Sequence, residues 1–563
     1  MELRSMCHWW REALVDVLIG KGLDMGYKRL LSRGLDRTCL MSGVAIGVLL
    51  LASATMAAER PDAPMALPAK EGFKRAPAFP GAEGFAKYTV GGRHGRVLLV
   101  TTLDDYDPET DAPIAGSLRK AIDTSGPRTV IFRVSGTIEL KAPLQIYKPF
   151  LTLAGQSAPG DGICLKNYGV SVRTSEVIIR YLRFRPGDEV GRRMAKLGKP
   201  FQTDALQINA GDWIAGRGKE AYTRNIIIDH CSFSWAIDET LSISGAGTAT
   251  HNTVQWCLLS EALNNSTHHK GPHGFGSIVG GKNTSFHHNL YAHLTERAPA
   301  ISANVGDFRN NVIYDAKGFG SGNFNYVGNY IRRGRGRFAF WWWGSGSYRN
   351  GNWLEGANNT DANKNNLFSG FQRENWRSGR QLPRDTPHAI SAWARVSTQS
   401  AKEAFKRVLA EADATFPKRD AVDRRLIGQV RRGTGKIIDT QDEVGGWPKL
   451  KSAVPPKDSN NGGMPDEWQV KYGLNPHSAD EGPPTEDAVW YPSNEASHDL
   501  DGDGYTNLDE FLNGTDPTRP NTDLKLKDPA PQRNGRRHRA GSADTIFART
   551  NARVNIACDL VGS

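Results

Sequence analysis

The sequence predicts an all-β fold, a right-handed single-stranded parallel β-helix with a small C-terminal appendage of helices and loops. Short runs rich in Val, Ile, Phe and Tyr recur between residues 225 and 331, and each is too short for a helix. Asparagines recur as well, because Asn289, Asn311, Asn329 and Asn352 lie 22, 18 and 23 residues apart. An asparagine amide can bond the backbone of a neighbouring coil and tolerates the left-handed conformation of a sharp corner. A repeat of about 20 residues built from short strands is typical of a solenoid.

The same strand-like runs begin earlier in the chain, so the β-helix is predicted to extend over residues 75–355. Within this range, the stretch G-S-L-R-K-A-I-D at 116–123 predicts a small capping helix. The following segment, 356–454, is predicted to contain loops and helices. Its helical periodicity at 400–410 and 419–430 predicts two helices that pack across the solenoid.

Composition fits a solenoid with an appendage. The chain has 563 residues, 60 of them glycine, with 23% charged and 39% hydrophobic residues, which is too long for one compact core. The polar stretch 355–385 predicts a loop. The net charge of +11 is compatible with a polyanionic partner, although general solubility explains the charge equally well. We expect no nucleic-acid partner.

Residues 1–58 predict a leader for export. An apolar run at 40–52 follows Arg33 and Arg37, and small residues after it offer cleavage sites. The run is short for a membrane span, so we expect a secreted or periplasmic protein that has no membrane contact after cleavage. An uncleaved anchor is the alternative, and translation could begin at an internal methionine.

The cysteines match no zinc-binding pattern. Cys231 and Cys257 lie in successive strand-like runs, where they could be buried thiols or a disulfide. We expect core packing.

Four motifs together resemble the pectate lyase family of polysaccharide lyases, over roughly 75–355. These are A-F-P-G-A-E-G-F-A (78–86), D-A-L-Q-I (204–208), I-D-H-C-S-F-S-W (228–235) and H-H-N-L-Y with R-A-P (287–299). The resemblance implies a β-helix that cleaves polygalacturonate, an acidic polysaccharide, by Ca²⁺-dependent β-elimination to 4,5-unsaturated oligogalacturonides. We expect it to act as a monomer.

The resemblance also implies roles for individual residues. Arg297 matches the arginine that removes the C5 proton, and Lys270 matches a substrate-binding lysine. Asp204 and Asp238 match acids that hold the calcium ion. The chemistry is consistent with these residue types, because the proton to be removed is α to a carboxylate and a hard cation offsets that charge. Each residue also has an ordinary interpretation: an arginine paired with Glu296, a solvated lysine or a turn aspartate.

The chain departs from the family pattern at two positions. The next calcium acid aligns with Ser242, and a second arginine aligns with Ser302. Glu239, next to Asp238, is predicted to face the other way by strand alternation. Two rival functions therefore stay open. One is a non-catalytic uronan-binding β-helix, and the other is a polygalacturonase-type hydrolase, which requires a suitably spaced pair of carboxylates.

The C-terminal region contains a second calcium motif within residues 455–520. A twelve-residue EF-hand-like loop has Gly504 at its tight turn, and a degraded copy at 458–468 precedes it. This pair resembles dockerin and thrombospondin type 3 repeats, and the basic tail 521–563 is predicted to be disordered. The predicted ligands of the complete loop are Asp499, Asp501, Asp503, Tyr505, Asn507 and Glu510.

Overall fold

The computed structural model describes residues 76–210, 222–245, 247–334, 340–342, 347–355, 386–478 and 495–521. The chain divides into a unit of residues 1–520 and a second unit of which only Asn521 is described. The leader, the polar stretch 356–385, the tail beyond Asn521 and Cys558 lie outside the described residues. Among the helices that are described, none has the length and hydropathy needed to cross a membrane.

The strands form three parallel sheets, and the chain visits the sheets in turn. Sheet 1 contains β1 (Arg96–Val100), β2 (Arg128–Phe132), β5 (Leu151–Ala154), β8 (Val177–Arg180), β11 (Thr223–Asp229), β14 (Ala249–Gln255), β17 (Lys282–His287), β20 (Asn304–Arg309), β23 (Asn323–Val327) and β26 (Ser347–Asn350). Sheet 2 contains β3 (Gly136–Glu139), β6 (Ile163–Lys166), β9 (Arg183–Phe184), β12 (Ser232–Ser234), β15 (Leu258–Ser260), β18 (Leu290–Leu294), β21 (Val312–Ala316), β24 (Tyr330–Arg332) and β27 (Trp353–Glu355). Sheet 3 contains β4 (Leu144–Ile146), β7 (Val170–Val172), β10 (Leu206–Ile208), β13 (Glu239–Ile243), β16 (Phe275–Val279), β19 (Ala300–Ile301), β22 (Gly318–Gly320) and β25 (Phe340–Trp342).

From β2 onward, each strand pairs with the strand three places further along the chain, as in a coil that returns to the same sheet once per turn, and β1 pairs with β2. Ile226 of β11, for example, pairs with Val177 of β8 on one side and Asn252 of β14 on the other. Alternate side chains point inward and form one continuous core, which includes Ile228 and Leu241. This arrangement is a parallel β-helix, as predicted.

The recurring asparagines form a buried ladder at the corner where β18, β21, β24 and β27 begin. Nδ2 of Asn289 donates to Oδ1 of Asn311 at 3.0 Å, and the contact repeats from Asn311 to Asn329 at 3.2 Å and from Asn329 to Asn352 at 3.0 Å. The predicted bonding between coils is confirmed. The predicted left-handed backbone is wrong for these four residues, since the positive φ belongs to the residue before each of them, such as His288 at 56°.

Six α-helices accompany the coil. They are α1 (Leu118–Asp123), α2 (Glu189–Lys196), α3 (Ala401–Glu411), α4 (Ala421–Arg432), α5 (Asp466–Lys471) and α6 (Asn507–Asn513) among the described residues. Short 3₁₀ turns occur at Gly155–Ser157, Ala392–Ala394, Gln441–Val444 and Glu495–Ser497. Helix α1 begins at Ser117, whose side chain accepts from the Lys120 amide, and it buries Leu118 and Ile122 against the inner core.

Helices α3 and α4 pack on the outer face of sheet 2, as their periodicity predicts. Val408 of α3 and Leu426 of α4 share a core with Leu258 and Leu290 of the coil. A buried ion network also fastens α4, because Arg185 donates to the carboxylate of Asp423 at 2.7 Å. The buried apolar face of α4 and the ion pair between Arg185 and Asp423 together hold this helix against the solenoid.

The C-terminal segment packs on the outer face of sheet 1, a contact that the sequence did not predict. Met464 and Leu508 share a small core with Ile131 and Ala154 of the coil. The three cysteines within the described ranges, Cys164, Cys231 and Cys257, are buried and free, so the expected core packing is confirmed for them.

Candidate active site

The predicted site lies where successive coils enter sheet 3. Asp204 stands just before β10, and Asp238 occupies the bend just before β13. Glu239, the first residue of β13, pairs in register with Phe275 of the next coil, which in turn bridges Glu296 of the coil after it. Because the coils are in register, the residues that begin sheet 3 in successive coils lie next to one another at one end of the sheet.

Three carboxylates meet there. Asp204, Asp238 and Glu239 each have one carboxylate oxygen in this group, and the three oxygens lie within 4.8 Å of one another. The prediction that Glu239 faces away is wrong. Asp238 belongs to a bend, and strand alternation does not carry from a bend into the strand that follows it.

Asp204 and Glu239 are both buried, whereas Asp238 is half-buried. Oδ1 of Asp204 accepts from the backbone amide of Glu239 at 3.4 Å. Burial, reinforced by the charge of Asp238, raises the pKa of Asp204 to about 8, while hydrogen bonding to Ser242 and Gln207 opposes that rise. A carboxylate in this environment lacks enough positive charge nearby, which is what a bound cation supplies.

Arg297 lies beside the acids with its side chain 31% exposed. Its Nη1 donates to Oε1 of Glu239, and its guanidinium lies 4.2 Å from the ring centre of Phe275. The ion-pair partner of Arg297 is therefore Glu239, and not Glu296, the partner in the ordinary interpretation of the sequence. Burial lowers the pKa of Arg297, and the charges of Asp238 and Asp204 act against that change.

A histidine-rich loop borders the same acids. Nε2 of His268 lies 3.3 Å from Oδ2 of Asp238, and Nε2 of His273 lies 4.0 Å from Oδ1 of that residue. Lys270 is exposed on this loop, and its backbone amide donates to Nδ1 of His268 at 3.1 Å. Its ammonium makes no ion pair with another described residue. The sequence showed the histidines but gave no reason to connect them with Asp238.

The positions that depart from the family pattern lie on sheet 3 as well. Ser242 pairs in register with Gln207, and its buried hydroxyl interacts with the carboxyl group of Asp204. Ser302 is exposed just beyond β19.

The acid group suits a hard cation. All three candidate donors are carboxylate oxygens, which are the ligands that calcium prefers. The Oδ2 atom of Asp238 also lies 3.3 Å from Nε2 of His268, so the acid group and the histidine-rich loop border the same place. Asp204 and Asp238 are the residues that would hold the ion.

A cavity of about 590 Å³ lies elsewhere, lined by Tyr181, Trp256 and Phe416 among others. None of the predicted site residues lines it, and its main charges pair with each other, as Arg180 does with Asp229 at 2.8 Å. Cavity size therefore does not identify the chemistry of this molecule.

The predicted C-terminal calcium loop brings three of its acids together. Oxygens of Asp499, Asp501 and Asp503 lie within 4.8 Å of one another. Gly504 has a φ of 104° and donates its amide to Asp499 at 2.8 Å, so the glycine serves the tight turn. Burial and the neighbouring acids raise the pKa of Asp501 to about 6.

The other predicted ligands of the loop lie at the start of α6. Asn507 donates its Nδ2 to the carbonyl of Glu495 at 2.8 Å, which leaves its buried Oδ1 without a partner among the described residues. Glu510 is buried, and Tyr505 offers its backbone carbonyl. Orphaned oxygens on Asp501 and Asn507 suit a cation.

The degraded upstream loop uses protein cations instead. Nζ of Lys457 lies 2.9 Å from Asp466, and Nη1 of Arg133 lies 3.6 Å from Asp458. Asp458 also accepts two backbone amides, from Gly462 at 3.1 Å and Gly463 at 3.0 Å. These contacts satisfy the acids without a metal ion.

Sequence comparison shows the family. No family model matches the chain. A probable pectate lyase C from Aspergillus terreus is 33% identical over 457 residues, which cover 78% of this chain and 94% of that protein. A probable pectate lyase C from Emericella nidulans is 34% identical over 420 residues, covering 72% of this chain and 88% of the relative. The chain belongs to the pectate lyase family.

As a member of the pectate lyase family the chain is a polysaccharide lyase, in agreement with the predicted enzyme class. Among solved structures, the cedar pollen allergen jun a 1 has a TM-score of 0.41 at 16% identity, covering 59% of this chain and 92% of the allergen. A pectate lyase from Bacillus sp. N165, in complex with trigalacturonate, has a TM-score of 0.36 at 15% identity, covering 59% of this chain and 98% of the lyase. The family assignment rests on the fungal sequences alone.

Proposed function

We propose that this pectate lyase family member is an exported monomeric enzyme that cleaves polygalacturonate by Ca²⁺-dependent β-elimination. The observation that supports the proposal is the proximity of Asp204 and Asp238 to Arg297, whose guanidinium both carboxylates influence. An acid pair for a cation and a cationic side chain beside it are the two parts that elimination next to a uronate requires.

The reaction begins at the proton on C5, which is α to the uronate carboxylate. Arg297 in its deprotonated form takes up that proton, and the C5 electron pair forms the C4–C5 double bond. The bond from C4 to the glycosidic oxygen breaks, its electron pair leaves with the oxygen, and a proton from water completes the leaving hydroxyl. The product has a 4,5-unsaturated uronate at the new non-reducing end. Calcium held by Asp204 and Asp238 would supply a positive charge that neutralises the substrate carboxylate. Lys270, as an exposed ammonium on the neighbouring loop, binds a carboxylate or hydroxyl of the sugar.

An arginine is an unusual base because its guanidinium normally stays protonated. Burial that lowers the pKa of Arg297 supports this role, and the cation at the acids would add to the effect by withdrawing the acids' charge. The phenyl ring of Phe275 beneath the guanidinium keeps one face of it from water.

The second calcium site has a structural role in this proposal. Asp499, Asp501, Asp503, the Tyr505 carbonyl, Asn507 and Glu510 are the proposed ligands of one ion. The segment has only a small core of its own against sheet 1, so bound calcium would stabilise it.

The test is the ultraviolet absorbance of the conjugated product on polygalacturonate, measured with and without a chelator. We expect product with calcium present and none after chelation. Methyl-esterified pectin should react more slowly, because a methyl ester gives the calcium ion no carboxylate to bind and the substrate is held less tightly. Absence of the chromophore on every uronate polymer would reject lyase action on uronates.

A substitution at Arg297 tests the base. Arg297→Lys should lower the rate by roughly 10²–10⁴-fold, the usual contribution of a positioned acid or base, while substrate binding persists. Arg424→Lys on the exposed face of α4 is the matched control and should leave the rate unchanged. Equal activity of Arg297→Lys and the control would remove Arg297 from the mechanism.

A further inference from the structure

Glu239 occupies a place that the family pattern does not give to an acid. Ser242 stands where the next calcium acid is expected, and its hydroxyl is too short to replace a carboxylate. Glu239 begins the same strand, β13, three residues earlier, and its carboxylate reaches the group formed by Asp204 and Asp238. The site therefore contains three carboxylates despite the missing acid.

Two partners compete for the Glu239 carboxylate. One is the guanidinium of Arg297, to which it is ion-paired. The other is the volume between the aspartates, because a Glu239 oxygen lies within 4.8 Å of both of their carboxylates. One carboxylate near both a guanidinium and an acid pair can change partners with small side-chain rotations.

The charges around the group favour such a change when a cation enters. Three carboxyl groups face one guanidinium in a largely buried place, so an entering cation meets more acid groups than Arg297 alone can pair with. Two histidines also face the acids, because Nε2 of His268 lies 3.3 Å from Oδ2 of Asp238 and Nε2 of His273 lies 4.0 Å from Oδ1 of the same residue.

We propose that Glu239 is the third calcium ligand of the groove, and that it exchanges between Arg297 in the empty site and the metal ion in the loaded site. The inference rests on the proposed function, which assigns calcium to Asp204 and Asp238. Loading the site then releases the guanidinium from its carboxylate partner. Metal loading and the contacts of the Arg297 guanidinium are therefore coupled through one side chain, because Glu239 cannot serve both partners at once.

Coupling of this kind is reciprocal and predicts two opposite effects on calcium affinity. Removing the competitor by Arg297→Ala should tighten calcium binding in the groove, because Glu239 no longer has an ion pair to break. Removing the carboxylate by Glu239→Gln should weaken binding by about 10-fold or more, the range seen when groups that support a metal site are lost.

Adding an acid at the missing position provides a third variant. Glu239→Gln combined with Ser242→Asp should restore most of the calcium affinity. Ser242 lies on β13, the strand that also contains Glu239, and its side chain faces Asp204. This pair of substitutions also separates loss of a ligand from misfolding, since a misfolded Glu239→Gln protein could not be rescued by one further substitution.

Calorimetric titration of the full chain with Ca²⁺ measures these effects without substrate. The C-terminal loop gives a separate binding step, identified by its loss in Asp501→Asn, and this step should stay constant in every groove variant. The proposal is supported by tighter binding in Arg297→Ala, weaker binding in Glu239→Gln and recovery in the double variant. Wild-type groove affinity in either Glu239→Gln or Arg297→Ala would overturn it.

The two proposals can fail independently. Loss of the proposed function would appear as absence of unsaturated product from wild-type enzyme on uronate polymers. Loss of the Glu239 exchange would appear as unchanged calcium affinities in an enzyme that still forms the product.

Discussion

At the corner between sheets 1 and 2, one residue per coil has a left-handed backbone, and these residues stack on each other. Tyr181, His230, Trp256 and His288 have φ values from 49° to 56°. Their ring centres follow one another at 5.0, 6.0 and 4.3 Å. Non-glycine residues seldom adopt this conformation, so stacking between coils compensates for the local strain.

His288 makes this column sensitive to acid. Burial lowers the pKa of His288 from 6.5 to about 4, so the folded protein keeps it neutral where the unfolded chain protonates it. The unfolded state then binds more protons between those values, and stability falls as the pH drops from 6.5 towards 4. The difference corresponds to at most about 3 kcal/mol.

We expect His288→Asn to flatten this part of the pH profile of the unfolding free energy, measured with denaturant. Asparagine suits the corner, because Asn310 occupies the equivalent place in the next coil with a φ of 53°. An unchanged slope between pH 6.5 and 4 in the variant would show that His288 does not contribute to acid sensitivity.

Among the elements, the asparagine ladder carries the stacking of sheet 2. Oδ1 of Asn311 accepts from the backbone amide of Asn289 at 2.9 Å as well as from its side chain. Nδ2 of Asn311 donates to the carbonyl of Phe286 at 3.0 Å. One buried side chain thus satisfies three polar groups of the preceding coil.

Asn311→Ala should therefore destabilise the protein by at least about 2 kcal/mol, since several buried groups lose their partner. Asn323→Ala is the matched control, because Asn323 is exposed at the start of β23. The denaturant midpoint should fall clearly in the first variant and stay nearly constant in the second. Similar midpoints would show that the ladder is dispensable.

The same elements show what a sequence can predict. The repeat interval and the apolar runs predict the coil, and periodicity predicts α3 and α4, because these patterns are local. Strand alternation fails at Glu239, since a bend precedes β13 and a local rule cannot anticipate it. The contact of Arg297 with Glu239 joins residues 58 apart and depends on the register of successive coils.

The placement of the C-terminal segment could not be predicted for a similar reason. Val97 and Ile131 of sheet 1 face outward and bury against this segment, but outward apolar residues occur on many strands. Its link to Arg93 spans 416 residues of sequence. Family motifs predicted which side chains gather near Arg297, whereas they gave no information on His268 or Glu239.

In the whole molecule, two parts of the chain cover the outer faces of the coil. Helices α3 and α4 cover sheet 2, and the C-terminal segment covers part of sheet 1. Arg93 joins the calcium loop to the coil, because it pairs with Asp509 at 2.6 Å and lies 5.0 Å from the ring centre of Tyr505. Loop order and coil stability are therefore connected.

Calcium removal should lower the melting temperature of the protein. In Asp501→Asn, most of the calcium-dependent stabilisation that comes from the C-terminal loop should be lost. The reason is that an empty loop leaves three carboxylates close together, without a cation between them, in the segment that packs on sheet 1. Asp516→Asn, a half-buried acid after α6 that is not one of the predicted ligands, is the control. Equal calcium-induced stabilisation in Asp501→Asn and the control would exclude a structural role for the loop.

The upstream loop has a different consequence for this segment. Its positive charges belong to Lys457 and Arg133, which are tethered to the chain and cannot be diluted away or chelated. Arg133 of the coil therefore holds the upstream loop through Asp458 whether or not calcium is present. If the downstream loop binds calcium as proposed, loss of the ion should loosen that loop while the upstream loop stays in contact with the coil.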